Sequence, residues 1–209
     1  MKEYLVVETS GRGEITEKKS RFIAHVVPID TEEQALQKIE ELKKKYWDAR
    51  HNCFAFVIGK NNEIQRFSDD GEPQGTAGKP ILEVLTAQNI HNTLIVVTRY
   101  FGGTLLGTGG LVRAYSQASK AGLENSKINK VCSGVKIDLV SDYNSIGKIK
   151  YIIGQMGIST EKEQYADNVI MTVKVKASDF EEFSKKITDA TGGKAVFNNK
   201  EDIDYKESI

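Results

Sequence analysis

Residues 93–123 read TLIVVTRYFGGTLLGTGGLVRAYSQASKAGL. Thr93 to Tyr100 is dense in β-branched residues and predicts a strand. Glycines at 102, 103, 107, 109 and 110 then break regular structure, since glycine accepts conformations and close approaches that other residues refuse. Beyond them Leu111, Ala114, Tyr115, Ala118 and Gly122 recur at helical spacing, which predicts a helix to about Leu123. A strand, a glycine-rich turn and a helix in succession place the segment in a mixed α+β fold.

The neighbours of this segment extend the pattern. A strand is predicted over residues 20–29. Asp30-Thr31-Glu32-Glu33-Gln34 then reads as a capped helix start, with Ala35, Leu36, Ile39, Leu42 and Tyr46 on the buried face. Strands over 53–58 and 64–68 flank an Asn61-Asn62 turn, and Pro80 opens a short helix through Ala87. On the C-terminal side a strand is predicted over 131–140. Tyr143, Ile146, Ile149, Ile153 and Met156 follow at helical spacing, and two β-type runs cover 158–165 and 169–176. Ser178 to Glu181 reads as a capping box before a helix with Phe180, Phe183, Ile187 and Ala190 on one face. Gly192-Gly193 stops that helix and Ala195-Val196-Phe197 begins a last strand. The order β-α-β-β-α-β predicts a ferredoxin-like sandwich.

Residue types change near position 128. All six arginines (Arg12, Arg21, Arg50, Arg66, Arg99, Arg113), the three prolines, the three histidines and Trp47 lie before it. Two domains are therefore expected, residues 1–128 and 129–209. Arginine's planar fork suits phosphate and carboxylate, so recognition belongs to the first. The whole chain has 29 basic and 29 acidic residues and is 39% hydrophobic. This excludes intrinsic disorder and the overall basic field of a typical nucleic-acid binder. No apolar run reaches membrane-spanning length and no signal-peptide pattern follows Met1, so a cytoplasmic protein is expected. Cys53 and Cys132 form no C-x-x-C pair, which removes the zinc-ribbon and thioredoxin readings. No cofactor and no resident metal are expected.

Three segments could carry chemistry. In the glycine segment, Arg99 precedes the loop and Arg113 lies in the first turn of the following helix. Amides and dipole at a helix N-terminus favour an anion, commonly phosphate. Neither the P-loop nor the dinucleotide fingerprint is matched. The other reading of the glycines is a tight turn with close packing. The second segment, Phe67 to Pro80, holds Asp69, Asp70 and Glu72 in a long loop. Those acids could bind a hard cation or take a proton, or they could cap turns and pair with Arg66 or Arg99. The third is His51-Asn52-Cys53, a His/Cys pair with no orienting residue fixed. The expected anion- or nucleic-acid-binding set is Arg21, Arg66, Lys79, Arg99, Thr108, Gly109, Gly110 and Arg113, around the Gly107–Gly110 amides. Asp70, Glu72, His51 and Cys53 are the candidates for catalysis.

Ser20 to Ala24, His51 to Phe56, the Asp70 to Pro80 loop and the Arg99 to Tyr115 run together resemble the IMPACT family, the YigZ-like proteins. The likeness in these motifs covers roughly residues 18–125. It implies an N-terminal ribosomal-protein-S5 domain 2-like fold followed by a ferredoxin-like domain, both similar to late domains of elongation factor G. Eukaryotic relatives regulate a translational stress response and carry an additional N-terminal RWD domain, which is not part of these 209 residues. The resemblance makes RNA, the ribosome or a translation factor the expected partner of a binding or regulatory protein. The alternatives are an enzyme acting on a phosphorylated or carboxylated small molecule, using Asp69–Glu72 and the Gly107–Gly110 cradle, and a protein-interaction module.

Overall fold

In the computed structural model, which describes residues 3–208, the chain runs β1 (Tyr4–Thr9), β2 (Gly11–Glu17), β3 (Ser20–Pro28), α1 (Glu32–Lys45), β4 (His51–Ile58) and β5 (Ile64–Ser68). It continues with α2 (Gly78–Ala87), β6 (Ile90–His91), β7 (Thr93–Tyr100) and α3 (Gly107–Glu124). After these come β8 (Lys127–Ser141), α4 (Ile146–Gln155), β9 (Ser159–Tyr165), β10 (Val169–Lys176), α5 (Phe180–Thr191) and β11 (Val196–Ser208). Two units divide the chain, one holding Tyr4–Lys130 and the other Val131–Glu207, so the boundary falls inside β8.

The N-terminal unit is organised by an antiparallel sheet of order β2-β3-β7-β4-β5. Side chains alternate across a strand, and the sheet uses both faces. On one, Phe22, Ala24 and Val26 of β3 join Cys53, Ala55 and Val57 of β4 and Ile95 and Val97 of β7. These pack on Ile81 and Leu85 of α2 and on Leu111, Ala114, Tyr115 and Ala118 of α3. On the other, Phe56, Ile58, Leu94 and Val96 pack on Ala35, Ile39 and Leu42 of α1. Central β7 is covered on both sides, which accounts for its unbroken apolar run.

Helix α1 starts as its sequence predicts, with the Thr31 hydroxyl accepting from the Gln34 amide at 3.2 Å. Leu36 does not belong to the buried face; it is 52% exposed. The covered stripe is Ala35, Ile39 and Leu42, with Tyr46 at the C-cap partly buried against the same core, and Leu36 stands about 100° round the helix from Ala35. Strands β1 and β2 have no counterpart in the sequence reading. β1 pairs in parallel with β6, and β2 is a polar strand whose backbone lies against α3. A Cβ on Gly13 would sit 2.3 Å from the Gly122 amide nitrogen, and one on Gly122 would sit 2.8 Å from Val26. Gly13 lets β2 touch α3 backbone to backbone, and Gly122 lets the helix lie on the Val26 and Ala24 side chains of β3.

In the C-terminal unit the elements follow β-α-β-β-α-β. β10 pairs antiparallel with β8 and β9, and β11 pairs with β8, so the strand order is β11-β8-β10-β9. Val135, Ile137 and Leu139 of β8 and Met171, Val173 and Val175 of β10 form a core with Ile149 and Ile153 of α4 and Phe183 and Ile187 of α5. Two local expectations are corrected. Tyr143 precedes α4 and is 53% exposed. Ser178 does not cap α5; its hydroxyl donates to the Asp179 carboxylate at 2.7 Å, and Asp179 takes the cap position. No helix among the described residues is long and apolar enough to cross a membrane.

Candidate functional site

The β4–β7 register sets His51 directly across from Arg99, and the β3–β7 register sets Phe22 across from Arg99 on the other side. Cross-strand partners share a face. Arg99 therefore lies at the end of the apolar stripe that α3 covers. Its guanidinium stands 5.4 Å from the Phe22 ring centre and 5.7 Å from that of Phe101. The charge is nearly buried, with a side-chain exposure of 7%, and it is answered by Glu72, exposed by 3%. Arg99 Nη1 donates to Glu72 Oε1 at 2.6 Å, and the Tyr115 hydroxyl donates to the same oxygen at 2.8 Å. Burial pushes the Tyr115 phenol up, which keeps its proton in place for that bond. The Arg99 Nε has no hydrogen-bond partner.

The acidic loop that supplies Glu72 is tied down on both sides. The Asp69 carboxylate accepts the Gly75 amide at 2.8 Å and, through Oδ1, the Ala77 and Gly78 amides at 3.0 and 2.8 Å. It thus serves the N-terminus of α2, whose own cap residue Ala77 offers no side-chain acceptor. Asp70 accepts from the Asn52 amide at 2.7 Å and from Lys43 at 3.1 Å. Its backbone is left-handed, φ 43°, a region aspartate tolerates better than most residues. The Asp70 carbonyl lies 2.9 Å from His51 Nδ1. A carbonyl can only accept, so Nδ1 carries a proton; in the singly protonated ring Nε2 is then the acceptor.

These groups line a cavity of about 440 Å³. Its apolar wall is Pro73, Phe101, Leu105, Leu106 and Leu111; its polar side is His51, Glu72 and Arg99; Arg50, Gly107 and Thr108 complete it. Gly107 is the first residue of α3 and is left-handed at φ 69°. Among the described residues no side chain caps that helix start, so its first amides lack a capping partner. Arg50 is exposed and has no acidic partner among the described residues.

The expected residues separate. Arg99 and Thr108 line this cavity, as do His51 and Glu72 from the catalytic candidates. Arg21 is exposed and paired with Glu14, and Arg66 is exposed with Glu32 at 3.4 Å. Lys79 is exposed on the first turn of α2. Because α3 begins at Gly107, Gly109 and Gly110 are helical and Arg113 falls in the second turn, not the first. Arg113 and Gly110 border a separate cavity of about 80 Å³ with Glu17 and Gln117. The four arginines therefore do not converge on one cleft. Cys53 donates to the Asp69 carbonyl at 2.9 Å, and burial pushes its thiol up, the opposite of an activated nucleophile. Asp70 is engaged internally. Sequence reasoning missed Arg50 and the apolar wall. The signal lay in Arg50 adjoining His51 and in Phe101 two residues past Arg99. Among the described residues, no group of three or more His, Cys, Asp and Glu side chains is placed to hold a metal ion.

Fold and cavity together define a two-unit α+β protein with a ligand-sized pocket at one end of the N-terminal sheet. Residues 18–123 match the family model of the Impact N-terminal domain, and residues 139–194 match a domain of unknown function (DUF1949). The chain is 40% identical over 192 residues to the IMPACT family member YvyE of Bacillus subtilis, covering 92% of this chain and 88% of that protein. It is 37% identical over 178 residues to the IMPACT family member YigZ of Escherichia coli, covering 84% and 87%. A crystal structure described only as that of a hypothetical protein matches with TM-score 0.60 at 34% identity, over 94% of this chain and 97% of that one. This chain belongs to the IMPACT family.

Proposed function

We propose that this protein is a cytoplasmic binding protein of the translation apparatus that takes single-stranded RNA, free or on the ribosome, at the cavity of its N-terminal unit. One observation carries the reading. An unpaired arginine, Arg50, and the uncapped start of α3 stand beside an apolar wall that includes Phe101. The first pair attracts a phosphate, and the wall accepts a base splayed out of its stack. The strand order β11-β8-β10-β9 supports a ferredoxin-like reading of the second unit, and the sheet packed between helices an S5 domain 2-like reading of the first. Both fit a partner in translation. Arg99, Thr108 and the α3 amides stay in the binding set. Arg21 and Arg66, paired with Glu14 and Glu32, Arg113, which borders the other cavity, and Lys79 do not line this cavity and leave the binding set. The alternative reading, an enzyme acting on a phosphorylated or carboxylated small molecule, would rest on Glu72 and His51 alone, because main-chain amides and Lys43 occupy Asp69 and Asp70.

With a formal net charge of zero, attraction is local and binding weakens with salt. Fluorescence anisotropy of a labelled single-stranded RNA tests the reading across ionic strength. Arg50→Ala is expected to weaken binding several-fold and to flatten the log–log salt slope by about one. Equal binding by the two proteins, or none by the wild type, overturns it.

A further inference from the structure

We propose that the cavity reads the exocyclic amino group of a nucleobase, so that adenine is preferred over bases that carry a carbonyl at the same place. This deepens the RNA-binding reading and rests on it. The argument is an inventory of lone pairs and protons. Arg99 is buried; it gives Nη1 to Glu72 Oε1 and Nη2 to the Ser20 hydroxyl at 3.5 Å, and its Nε is unpartnered but buried. Tyr115 gives its only hydroxyl proton to that same oxygen. Among the described residues, both side-chain donors to Glu72 reach Oε1, and none reaches Oε2. His51, tied through Nδ1 to the Asp70 carbonyl, offers Nε2. This nitrogen lies 4.0 Å from Glu72 Oε1, too far for a hydrogen bond between the two side chains. The polar side of the cavity therefore presents two open acceptors, whereas the unpartnered proton of Arg99, on Nε, is buried away from its surface.

An anion does not fit there, because it would meet the Glu72 carboxylate. A planar group with two N–H bonds does: one proton can go to Glu72 Oε2 and the other to His51 Nε2. The 6-amino group of adenine has that form. Its ring would lie along Phe101, Leu106 and Leu111, and its phosphate would face Arg50, which has no partner of its own. Replacing the amino group by a carbonyl would set an acceptor against two acceptors. Sites built to bond a donor reject such analogues strongly.

Titration calorimetry of the full chain with AMP and IMP, which differ in that group, tests the inference without altering the protein. Anisotropy competition between oligoadenylate and oligouridylate pentamers extends the test to RNA. AMP is expected to bind at least about tenfold more tightly than IMP, and oligoadenylate to outcompete oligouridylate. Equal affinities within both pairs, or a preference for IMP, overturn the amino-group readout and leave RNA binding standing. If neither RNA nor any nucleotide binds, both readings fall together.

Discussion

Glu72 and Arg99 form the most consequential pair in the molecule. Both are buried, so each is tolerated only because the other is present. Glu72→Ala leaves a guanidinium in an apolar setting between Phe22 and Phe101 and is expected to cost about 3–5 kcal/mol in urea unfolding. The double variant Glu72→Met/Arg99→Met should recover most of that loss. A single-variant cost below about 1 kcal/mol would mean that the pair behaves like an exposed one. His25 supplies a pH effect. Burial first, then the nearby charges of Lys45, Arg12 and Lys38, push its pKa down to about 4 from an ordinary 6.5. Between those values the unfolded chain binds a proton that the folded chain refuses, so stability falls as pH drops from about 6.5 towards 4. His25→Gln removes that contribution. Unfolding free energies at pH 5 and pH 7 should differ less for the variant than for the wild type; an identical difference would show that His25 charges freely in the folded state.

At the scale of elements, Asp69 does for α2 what no residue of the helix itself can do. Three amides, those of Gly75, Ala77 and Gly78, depend on its carboxylate. Asp69→Ala is expected to cost about 1–3 kcal/mol, the desolvation penalty of stranded donors, and Asp69→Asn less, since one carbonyl oxygen remains. Thermal unfolding should rank wild type, Asn and Ala in that order, and indistinguishable Ala and wild-type midpoints would show that water replaces the carboxylate without loss. The long loop from Phe67 to Pro80 is thus held by its own acids: Asp69 on α2, Asp70 on β4 and Lys43, and Glu72 on Arg99. Loop composition marked these residues as important, but it could not divide them into anchors and cavity-lining groups. That division depends on which backbone amides the fold brings within about 3 Å of each carboxylate.

The whole molecule is two units, each with its own apolar core. Periodicity revealed most of their elements, because burial on one face imposes spacing of two or 3.6 residues on the chain. The Thr31 cap of α1 and the alternating valines of β10 could be read directly. β2 could not: Gly11 to Glu17 carries little apolar signal, and its place is set by pairing with β3 and by the Gly13–Gly122 contact. The membership of the site was equally hidden. Arginines close in composition went to different surfaces, and only Arg99 came to lie against Glu72. Local spacing and turn chemistry in the sequence determined which segments became strands and helices, because those preferences act between near neighbours. Tertiary structure alone decided that Arg50, His51, Glu72, Arg99 and Phe101 meet around one cavity. Strand register and helix packing bring together residues up to half the first unit apart, and no local pattern encodes that convergence.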